Sequence, residues 1–390
     1  MKIGILTLHS QLNYGAILQC LALQSVLQEL GHNVFILDRW LQTDNRSLWE
    51  DYHKITRKNV LRLIGGLGTG KRWKRIKKTN DFIEEFLNLT PYHFVHWDDF
   101  DVNQLDFDLI IVGSDQVWNS MGDLDIYLVD KEEIKIPLIS YAASIGNSDF
   151  SEEQLLLLKR KLKEFQAISV REDSAKKFLQ DIGIVSERVL DPVFLMDKAM
   201  WQKKVKLTPK SENKLVCYFM ESDIDKYFIP LIDFSEKNKC DIEIFVNSYC
   251  FRVKKTISSF IKSLRLRLKL KRSRVSIRFE ANPLTFVQSF FEAKYVLTDS
   301  FHGTAFATIF QKKLVVLKPC DSWRISMFSR IEETCRRFYP GCTVIYSEIS
   351  EALDALKKND LVLRKDALLQ MTGASLTWLK DSISAVIKNR

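Results

Sequence analysis

The residue types best suited to chemistry lie in one short stretch, Asp299-Ser300-Phe301-His302-Gly303-Thr304. A histidine titrates near neutral pH, so His302 suits the transfer of a proton or, when protonated, the binding of an anion. The stretch therefore indicates acid/base chemistry or the binding of an anion.

The elements around His302 follow from the apolar pattern. The run Tyr295 to Thr298 predicts a strand, and an apolar segment ending before Gln311 predicts a helix, with a second strand from Leu314 to Leu317. His302 is therefore expected in a loop at the carboxyl end of a strand, where parallel sheets bind ligands and the next helix offers free N–H groups. For this motif alone, a helix cap made by Asp299 or Ser300 is an equally good explanation.

A second polar loop follows the apolar strand predicted from Phe107 to Val112. It runs Gly113-Ser114-Asp115-Gln116, with Asn119 three residues further on. A glycine directly after a buried strand allows a tight turn or a close approach to a ligand. The side chains of Asp115, Gln116 and Asn119 suit hydrogen bonds to sugar hydroxyls, and they suit equally well a role in tying the loop to its own backbone.

Strands and helices alternate along the chain, which predicts right-handed βαβ units and parallel sheets. The first unit is a strand from Lys2 to Leu8, a helix closed by Gly31 as a left-handed cap, and a strand from Val34 to Leu37. Ser151 is expected to cap a helix. The remaining predicted strands are Pro137 to Ala143, Ala167 to Val170, Val189 to Phe194, Lys214 to Met220 and Asp241 to Val246.

The length predicts two domains, because 390 residues exceed the roughly 250 to 300 at which one core stops growing. Apolar content of 46% with 27% charged residues fits a soluble globular chain, and no apolar run nears the ~20 residues of a membrane span. The expected fold class is α/β, with Rossmann-like parallel-sheet domains at 1–200 and 212–350 and C-terminal helices at 351–390. The polar stretch Lys203 to Lys214 is the expected linker.

Four stretches, in order along the chain, resemble the polysaccharide pyruvyltransferase family. They are Asn13-Tyr14-Gly15-Ala16, Gly113 to Asn119, Ser169-Val170-Arg171-Glu172 and Asp299 to Thr304, with Arg324 matching a later family arginine. The resemblance implies two domains facing a cleft in a GT-B-like arrangement, with the acceptor on the first and the donor on the second. It also implies that the last helix, near Trp378 to Ile387, crosses back to the first domain.

The resemblance further implies a reaction and its residues. The enzymes of this family move the enolpyruvyl carbons of phosphoenolpyruvate onto a sugar as a ketal, so phosphoenolpyruvate is expected as co-substrate with no cofactor and no metal. His302 becomes the candidate general acid/base or phosphate ligand. The expected donor-binding residues are Arg171, Arg324, Ser300, Gly303 and Thr304, and the expected cleft loops hold Asn13, Tyr14, Gly113, Ser114, Asp115, Gln116 and Asn119.

Two features of the chain bear on this transfer of roles. Members of the family often carry an arginine two residues before the histidine, where this chain has Ser300, which identifies a subgroup and leaves the donor geometry open. Each arginine taken singly is also explained by a structural ion pair.

Other motifs are discounted. Asp38 follows the second strand as a ribose-binding acid would, but the preceding loop lacks Gly-x-Gly-x-x-Gly. Gly65 to Lys71 spells a phosphate loop, yet Arg72 replaces the magnesium-binding hydroxyl. Asp123-Leu124-Asp125 matches a metal-binding Asp-x-Asp pattern, but no strand precedes it, and we interpret it as part of the surface. Seven scattered cysteines without a Cys-x-x-Cys pair indicate reduced thiols, and the histidines show no metal-ligand spacing.

The net charge of +9 is concentrated in two segments. Tyr52 to Asn80 holds ten Lys and Arg residues and Phe245 to Phe279 holds eleven, and neither segment contains an acidic residue. We expect the basic segments 54–78 and 252–278 to contact an anionic membrane or substrate phosphate peripherally. Regularly interleaved aromatic residues are missing, so no nucleic-acid partner is expected.

Two rival functions remain. One is a GT-B glycosyltransferase with a nucleotide-sugar donor, and the other is a module that binds anionic polymers. The expected acceptor is a glycan or a lipid-linked oligosaccharide, and the expected location is the cytoplasm, including the inner face of the membrane.

Overall fold

The computed structural model describes residues 1–40, 69–210, 213–221, 224–246, 269, 273–319, 324–325, 328–341, 344–358 and 362–388, with side chains in the helix at 69–86 described from Trp73 onward. Most of the second basic segment and Gly65 to Gly68 of the discounted phosphate loop lie outside these ranges.

The chain divides into two compact units. Unit 1 consists of Met1–Gly70, Thr79–Met196 and Asp366–Arg390, and unit 2 consists of Lys71–Lys78 and Asp197–Lys365. In the part of the chain that the structure describes, each unit is built on one sheet in which every strand pairing is parallel, with seven strands in unit 1 and six in unit 2. The predicted α/β class with two parallel-sheet domains is confirmed.

The sheet of unit 1 has the strand order β3-β2-β1-β4-β5-β6-β7. Its strands are β1 (Lys2–Leu6), β2 (Asn33–Arg39), β3 (Leu89–Phe94), β4 (Leu109–Val112), β5 (Leu138–Ala143), β6 (Ala167–Val170) and β7 (Glu187–Arg188). The helices in this part of the chain are α1 (Tyr14–Glu29), α2 (Thr69–Phe86), α3 (Leu124–Tyr127), α4 (Glu152–Lys161) and α5 (Asp173–Asp181). Short 3-10 segments lie at Trp97–Asp99, Val102–Leu105, Leu162–Glu164 and Pro192–Leu195.

The sheet of unit 2 has the order β10-β9-β8-β11-β12-β13. Its strands are β8 (Lys214–Phe219), β9 (Asp241–Val246), β10 (Val275–Ile277), β11 (Tyr295–Thr298), β12 (Lys313–Leu317) and β13 (Ile345–Tyr346). The later helices are α6 (Lys198–Lys204), α7 (Asp225–Asn238), α8 (Pro283–Glu292), α9 (Phe301–Ile309), α10 (Ser329–Phe338), α11 (Ile349–Lys358) and α12 (Lys365–Lys388).

Continuous apolar strands account for both cores. Every residue of β4, Leu-Ile-Ile-Val, is buried, and so is every residue of β5 and β8, as expected where helices cover both faces of a parallel sheet. Helix α1 is buried almost along its whole length. It begins where the Asn13 side chain accepts hydrogen bonds from two backbone N–H groups, and it ends before Gly31, whose φ of 86° confirms the predicted left-handed cap.

One predicted strand is wrong. Residues Val189 to Phe194 are not a strand: β7 ends at Arg188, and a 3-10 turn runs over Pro192–Leu195. The reason is local, because Pro192 has no N–H to give a sheet, and the Asp191 side chain instead accepts the N–H of Val193 at 3.1 Å.

Helix α12 packs within unit 1. The N–H of Leu190 donates to Ser375 Oγ at 2.9 Å, and the Trp378 ring lies 6.2 Å from that of Tyr141. Leu379 and Ile383 of the same helix are buried. Unit 1 is therefore completed by a segment distant in sequence from its sheet.

In the described part of the first basic segment, some basic side chains are exposed and one is buried. Arg75 is buried and its Nη1 donates to the carbonyl of Val246 at 3.0 Å, within unit 2. Lys74 and Lys78 are exposed, and each Nζ lies 3.9 Å from a carboxylate oxygen of Glu280. Arg75 is thus part of the fold rather than of an exposed basic face.

No described helix combines the length and the apolar character that a membrane crossing requires.

Candidate functional site

Both sheets have a switch point, the place where successive strands lie on opposite sides of the first strand. It falls between β1 and β4 in unit 1 and between β8 and β11 in unit 2. Open parallel sheets bind ligands outside the carboxyl ends of the strands at this place. The loop with Ser114 follows β4, and the stretch with His302 follows β11, so the two polar stretches singled out in the sequence flank the two switch points.

The stretch after β11 forms the start of helix α9. Ser300 is its N-cap, with the Gly303 N–H 3.5 Å from Ser300 Oγ, and the Thr304 hydroxyl donates to the Ser300 carbonyl at 3.0 Å. Gly303 has a steric role, because a Cβ there would overlap the side chain of Thr298. The missing side chain lets the first turn of α9 pack directly on the end of β11.

His302 lies in the first turn of α9, not in a loop as the sequence predicted. Its side chain is largely buried, and its ring meets the ring of Phe301 edge-on at 5.2 Å. The guanidinium of Arg330 lies 5.9 Å from the centre of the same Phe301 ring. The predicted loop is absent because α9 begins directly after the Ser300 cap. His302 therefore lies at the positive end of the helix dipole.

Arg324 is buried between two acids of unit 2. One nitrogen pairs with Asp299 Oδ2, and Nη1 lies 3.4 Å from Glu221 Oε2. Asp299 also accepts the backbone N–H groups of Met220 at 2.6 Å and Glu221 at 3.1 Å. Burial raises the pKa of Asp299, while Arg324 and these N–H groups act to lower it. Asp299 thus links β8 to β11 across the switch point and holds the arginine that the sequence assigned to the donor.

Arg171 lies in a comparable network in unit 1. Its Nη1 is 2.7 Å from Asp191 Oδ2, its Nε is 3.1 Å from Glu172 Oε1, and its Nη2 is 3.6 Å from Asp115 Oδ1. Burial acts to lower the pKa of Arg171, but Glu172, Asp191 and Asp115 together raise it above its usual value. These contacts are those of the structural ion pair that the sequence left open, and a role in donor binding stays a prediction.

The loop after β4 is tied to α1 by a buried polar network. The Thr7 hydroxyl donates to the Ser114 carbonyl at 2.9 Å, and the Ser114 N–H donates to Gln19 Oε1 at 3.2 Å. Ser114 Oγ reaches Asp191 Oδ2 at 3.1 Å. Gly113 has φ of 106°, and a Cβ there would lie 2.6 Å from the Tyr141 carbonyl oxygen, so only glycine fits.

The remaining predicted cleft residues have structural contacts in unit 1. Asn13 caps α1, and Tyr14 is buried in its first turn. Asn119 Nδ2 donates to Gln116 Oε1 at 2.8 Å, and Asn119 Oδ1 accepts the N–H of Met121 at 3.0 Å. These bonds tie the loop to itself, which is the second of the two roles weighed from the sequence.

The structure brings the predicted residues together within each unit. In unit 1, Ser114 and Arg171 both contact Asp191, and Asp115 lies against Arg171. In unit 2, one helix start holds Ser300, His302, Gly303 and Thr304. Sequence reasoning missed the acids and amides that hold them, which are Gln19, Glu172, Asp191 and Glu221. The available signal was their position, since Gln19 interrupts an apolar helix face and the three acids closely follow strands.

Sequence reasoning also missed a histidine and aspartate pair at the carboxyl ends of β1 and β2. His9 Nε2 lies 3.0 Å from Asp38 Oδ1, and both residues are buried. The chain around Asp38 lacks the glycines of a ribose site, and no spacing in the sequence distinguishes His9. The residue after Asp38, the buried Arg39, pairs with Asp123 at 2.5 Å. Asp123, which the sequence predicted to lie on the surface, is half exposed.

Among the described residues, no group of three or more His, Cys, Asp or Glu side chains is arranged to hold a metal ion.

Two all-parallel α/β units with polar clusters at both switch points define a GT-B-like protein, and solved structures agree. UDP-GlcNAc 2-epimerase from Neisseria meningitidis, in a structure bound to UDP-GlcNAc, matches with a TM-score of 0.55 and 13% identity over 99% of this chain and 100% of that chain. The Methanocaldococcus jannaschii UDP-GlcNAc 2-epimerase matches with a TM-score of 0.54 and 12% identity over 93% and 95% of the two chains. At such identities the likeness shows the fold alone.

The family follows from the sequence match. The model of the polysaccharide pyruvyl transferase family matches residues 13–321, and the chain belongs to this family. It is therefore a transferase, and the family resemblance inferred from the four stretches is confirmed. No curated protein matches the chain significantly.

Proposed function

We propose that this transferase moves the enolpyruvyl group of phosphoenolpyruvate onto two hydroxyls of one sugar, forming a pyruvate ketal. The acceptor belongs to a surface polysaccharide or its lipid-linked precursor. The observation that carries the proposal is the start of helix α9, where His302, a capped helix N-terminus and the buried Arg324 occur in one unit at a switch point. This is a site for a small anion next to a group that moves protons.

The donor requires cationic and N–H groups because it carries a phosphate and a carboxylate. The helix N-terminus supplies N–H groups and a partial positive charge, and Arg324 supplies a full charge whose position is fixed by Asp299 and Glu221. We assign donor binding to Ser300, Gly303, Thr304 and Arg324. Arg171 is the weaker candidate, because three carboxylates of its own unit already surround it.

Ketal formation places three demands on the protein. A proton must reach the methylene carbon of the donor, the electron-poor carbon beside it must be stabilised, and two sugar hydroxyls must attack that carbon with loss of phosphate. His302 is our candidate for the proton transfer, and the loop from Gly113 to Asn119 is our candidate for sugar contacts. The alternative role of His302 is to bind the phosphate when protonated.

The test measures inorganic phosphate released from phosphoenolpyruvate in the presence of p-nitrophenyl hexopyranosides. We expect release with wild-type protein and a loss of about 100-fold or more in kcat for His302→Gln, the usual scale for a lost acid/base group. His32→Gln is the matched control, because His32 lies before β2 at the amino edge of the sheet and should leave the rate unchanged.

Binding separates the two roles of His302. Phosphoenolpyruvate at a hundred times its Kd stabilises the folded protein by about 2.7 kcal/mol, which shows as a rise in melting temperature. If His302→Gln keeps this rise, the histidine acts in proton transfer; if it abolishes the rise, the histidine binds phosphate. A rise with uridine diphosphate and none with phosphoenolpyruvate would refute the proposal in favour of a nucleotide-sugar glycosyltransferase.

We also propose that the exposed basic residues contact anionic lipid. Lys74 and Lys78 are exposed on α2, with Glu280 as their neighbouring acid, and Arg75 takes no part because it is buried. Co-sedimentation with phosphatidylglycerol vesicles should fall when both lysines are changed to glutamine. Unchanged co-sedimentation would remove these two residues from the interface.

A further inference from the structure

The hydrogen bonds of His9 and Asp38 define where the ring protons lie. His9 Nδ1 is 3.2 Å from the Thr7 carbonyl oxygen, and Nε2 is 3.0 Å from Asp38 Oδ1. A carbonyl oxygen only accepts, so the contact with Thr7 places a hydrogen on Nδ1. Asp38 is a carboxylate, and so able to act as a base, in the form in which Nε2 also carries a hydrogen and donates it to Oδ1.

Burial orders the two side chains. The His9 side chain is 0% exposed and the Asp38 side chain 10% exposed. A ligand at this edge of the sheet therefore meets Asp38 first, with His9 behind it. The backbone of Asp38 is also fixed, since its N–H donates to Thr90 Oγ1 at 3.0 Å.

Aromatic rings lie beside the carboxylate. Trp40 Nε1 donates to the same Asp38 Oδ1 at 3.0 Å, and the Trp40 ring stacks on the ring of the exposed His93 at 4.1 Å with 14° between the planes. A carboxylate accepts hydrogen bonds from hydroxyls, and aromatic rings cover apolar surface. A sugar has both kinds of surface, so this cluster has the chemistry of a sugar site.

We propose that Asp38 is a catalytic base for the acceptor sugar and that His9 and Trp40 are its positioning residues. This inference rests on the proposed function and adds to it the group that receives the proton of an attacking hydroxyl. Two N–H donors on one oxygen fix the direction of the carboxylate, which is the condition for efficient proton transfer.

The proton balance is complete with donor and acceptor alone. The first hydroxyl gives its proton to Asp38 while its oxygen bonds to the phosphate-bearing carbon of the enolpyruvyl group. The double-bond electrons move to the methylene carbon, which takes a proton from the acid. The second hydroxyl then bonds to the same carbon, phosphate leaves with the electron pair of the broken carbon–oxygen bond, and the proton of this hydroxyl passes to the departing phosphate. Asp38 loses its proton to solvent and the general acid regains one from solvent, so the net result places one proton on the methyl group and one on phosphate.

The first test is the steady-state rate of Asp38→Asn with phosphoenolpyruvate and the p-nitrophenyl hexopyranosides. The asparagine keeps an oxygen for His9 and Trp40 but cannot take a proton. We expect kcat to fall by about 100-fold or more, with KM for the sugar changed less than tenfold and the melting-temperature rise with phosphoenolpyruvate intact. Asp98→Asn is the control, because the Asp98 carboxylate is exposed in the same unit. An unchanged kcat would overturn the assignment.

The second test addresses the positioning residue and the fold. His9→Gln should lower kcat about tenfold while leaving KM and phosphoenolpyruvate binding unchanged, and Asp38→Glu should retain part of the activity lost in Asp38→Asn. In wild-type protein, nitrogen-15 NMR of the His9 ring should show that both ring nitrogens are hydrogen-bonded, and Asp38→Asn should change the Nε2 signal. A His9 ring with one unprotonated, solvent-bonded nitrogen would contradict the pair.

The inference and the proposed function fail in different ways. If wild-type protein releases no phosphate from phosphoenolpyruvate with any hexoside, the proposed function fails. Saturation-transfer NMR with the same hexosides then tests the sugar site alone: contacts seen with wild type and weakened in Asp38→Asn support it. Equal contacts in both proteins, or none with wild type, overturn it.

Discussion

At the scale of single residues, the start of helix α9 depends on an absent side chain. Gly303 packs on Thr298, and a methyl group there would overlap the Thr298 side chain. We predict that Gly303→Ala destabilises the protein by about 1 to 3 kcal/mol, the usual cost of overpacking, and displaces His302. Urea unfolding measures the first effect and phosphate release the second.

A second glycine provides the control with the opposite sign. Gly373 lies in helix α12, is exposed, and has nothing within 4 Å of the position that a Cβ would take. Gly373→Ala should stabilise by up to about 1 kcal/mol, because alanine is the better helix former. If both changes had the same effect on unfolding, the steric explanation of Gly303 would be wrong.

Lys312 predicts a pH dependence of stability. Burial lowers the pKa of Lys312 to about 8, with Lys198 acting in the same direction and Glu292 opposing both. Above pH 8 the folded protein has released this proton while the unfolded chain, with a lysine pKa of about 10.4, still holds it. The unfolded state binds more protons in this interval, so the contribution of Lys312 to stability rises with pH.

The measurement compares urea unfolding of wild type and Lys312→Met at pH 7.5 and pH 10. The difference in unfolding free energy should shift in favour of wild type at the higher pH. Lys358→Met is the control, since Lys358 is exposed at the end of a helix in the same unit. A difference that is independent of pH would contradict the prediction.

Residue types alone predicted part of the site. A cap made by Ser300 was one of two explanations of its motif, and Ser300 is a cap, because capping is set by residues close in sequence. Two of the partners, Glu221 of Arg324 and Asp191 of Arg171, were not predictable, since they are distant in sequence and meet the arginines only through the sheet. Long-range contacts of this kind leave no local pattern.

At the scale of elements, helix α12 is held to unit 1 by a narrow apolar stripe. Leu379 is fully buried, while Leu369 on the same helix is 71% exposed. We predict that Leu379→Ala lowers the free energy of unfolding by about 2 to 5 kcal/mol, the usual range for a buried leucine, and that Leu369→Ala changes it by less than about 0.5 kcal/mol. Guanidinium unfolding of both variants checks this, and equal losses would show that the stripe is not what anchors the helix.

The elements were more predictable than the site. The strands β6, β9 and β11 have the predicted bounds, because each is a largely apolar run closed by polar residues. The strand expected at Val189 to Phe194 failed at Asp191-Pro192, where capping by a side chain competes with the sheet. Apolar content identifies what is buried, and turn-forming residues decide whether it is a strand.

At the scale of the whole molecule, the order of segments along the chain differs from the order of the units. Unit 1 takes its first two segments before residue 197 and its last from Asp366 onward, and most of unit 2 lies between them. Composition predicted neither that Lys71–Lys78 belongs to unit 2 nor that the chain returns to unit 1 at Asp366. Both depend on contacts between distant segments.

This segment order has a consequence for synthesis on the ribosome. At about 5 to 20 residues per second, the stretch between Met196 and Asp366 takes roughly 8 to 34 seconds to translate. During that time the surface of unit 1 around Leu190 and Tyr141 emerges without its closing helix. Until late in translation the nascent chain therefore lacks the helix that contacts Tyr141 and Leu190, and we expect chaperones to bind the apolar surface left uncovered there.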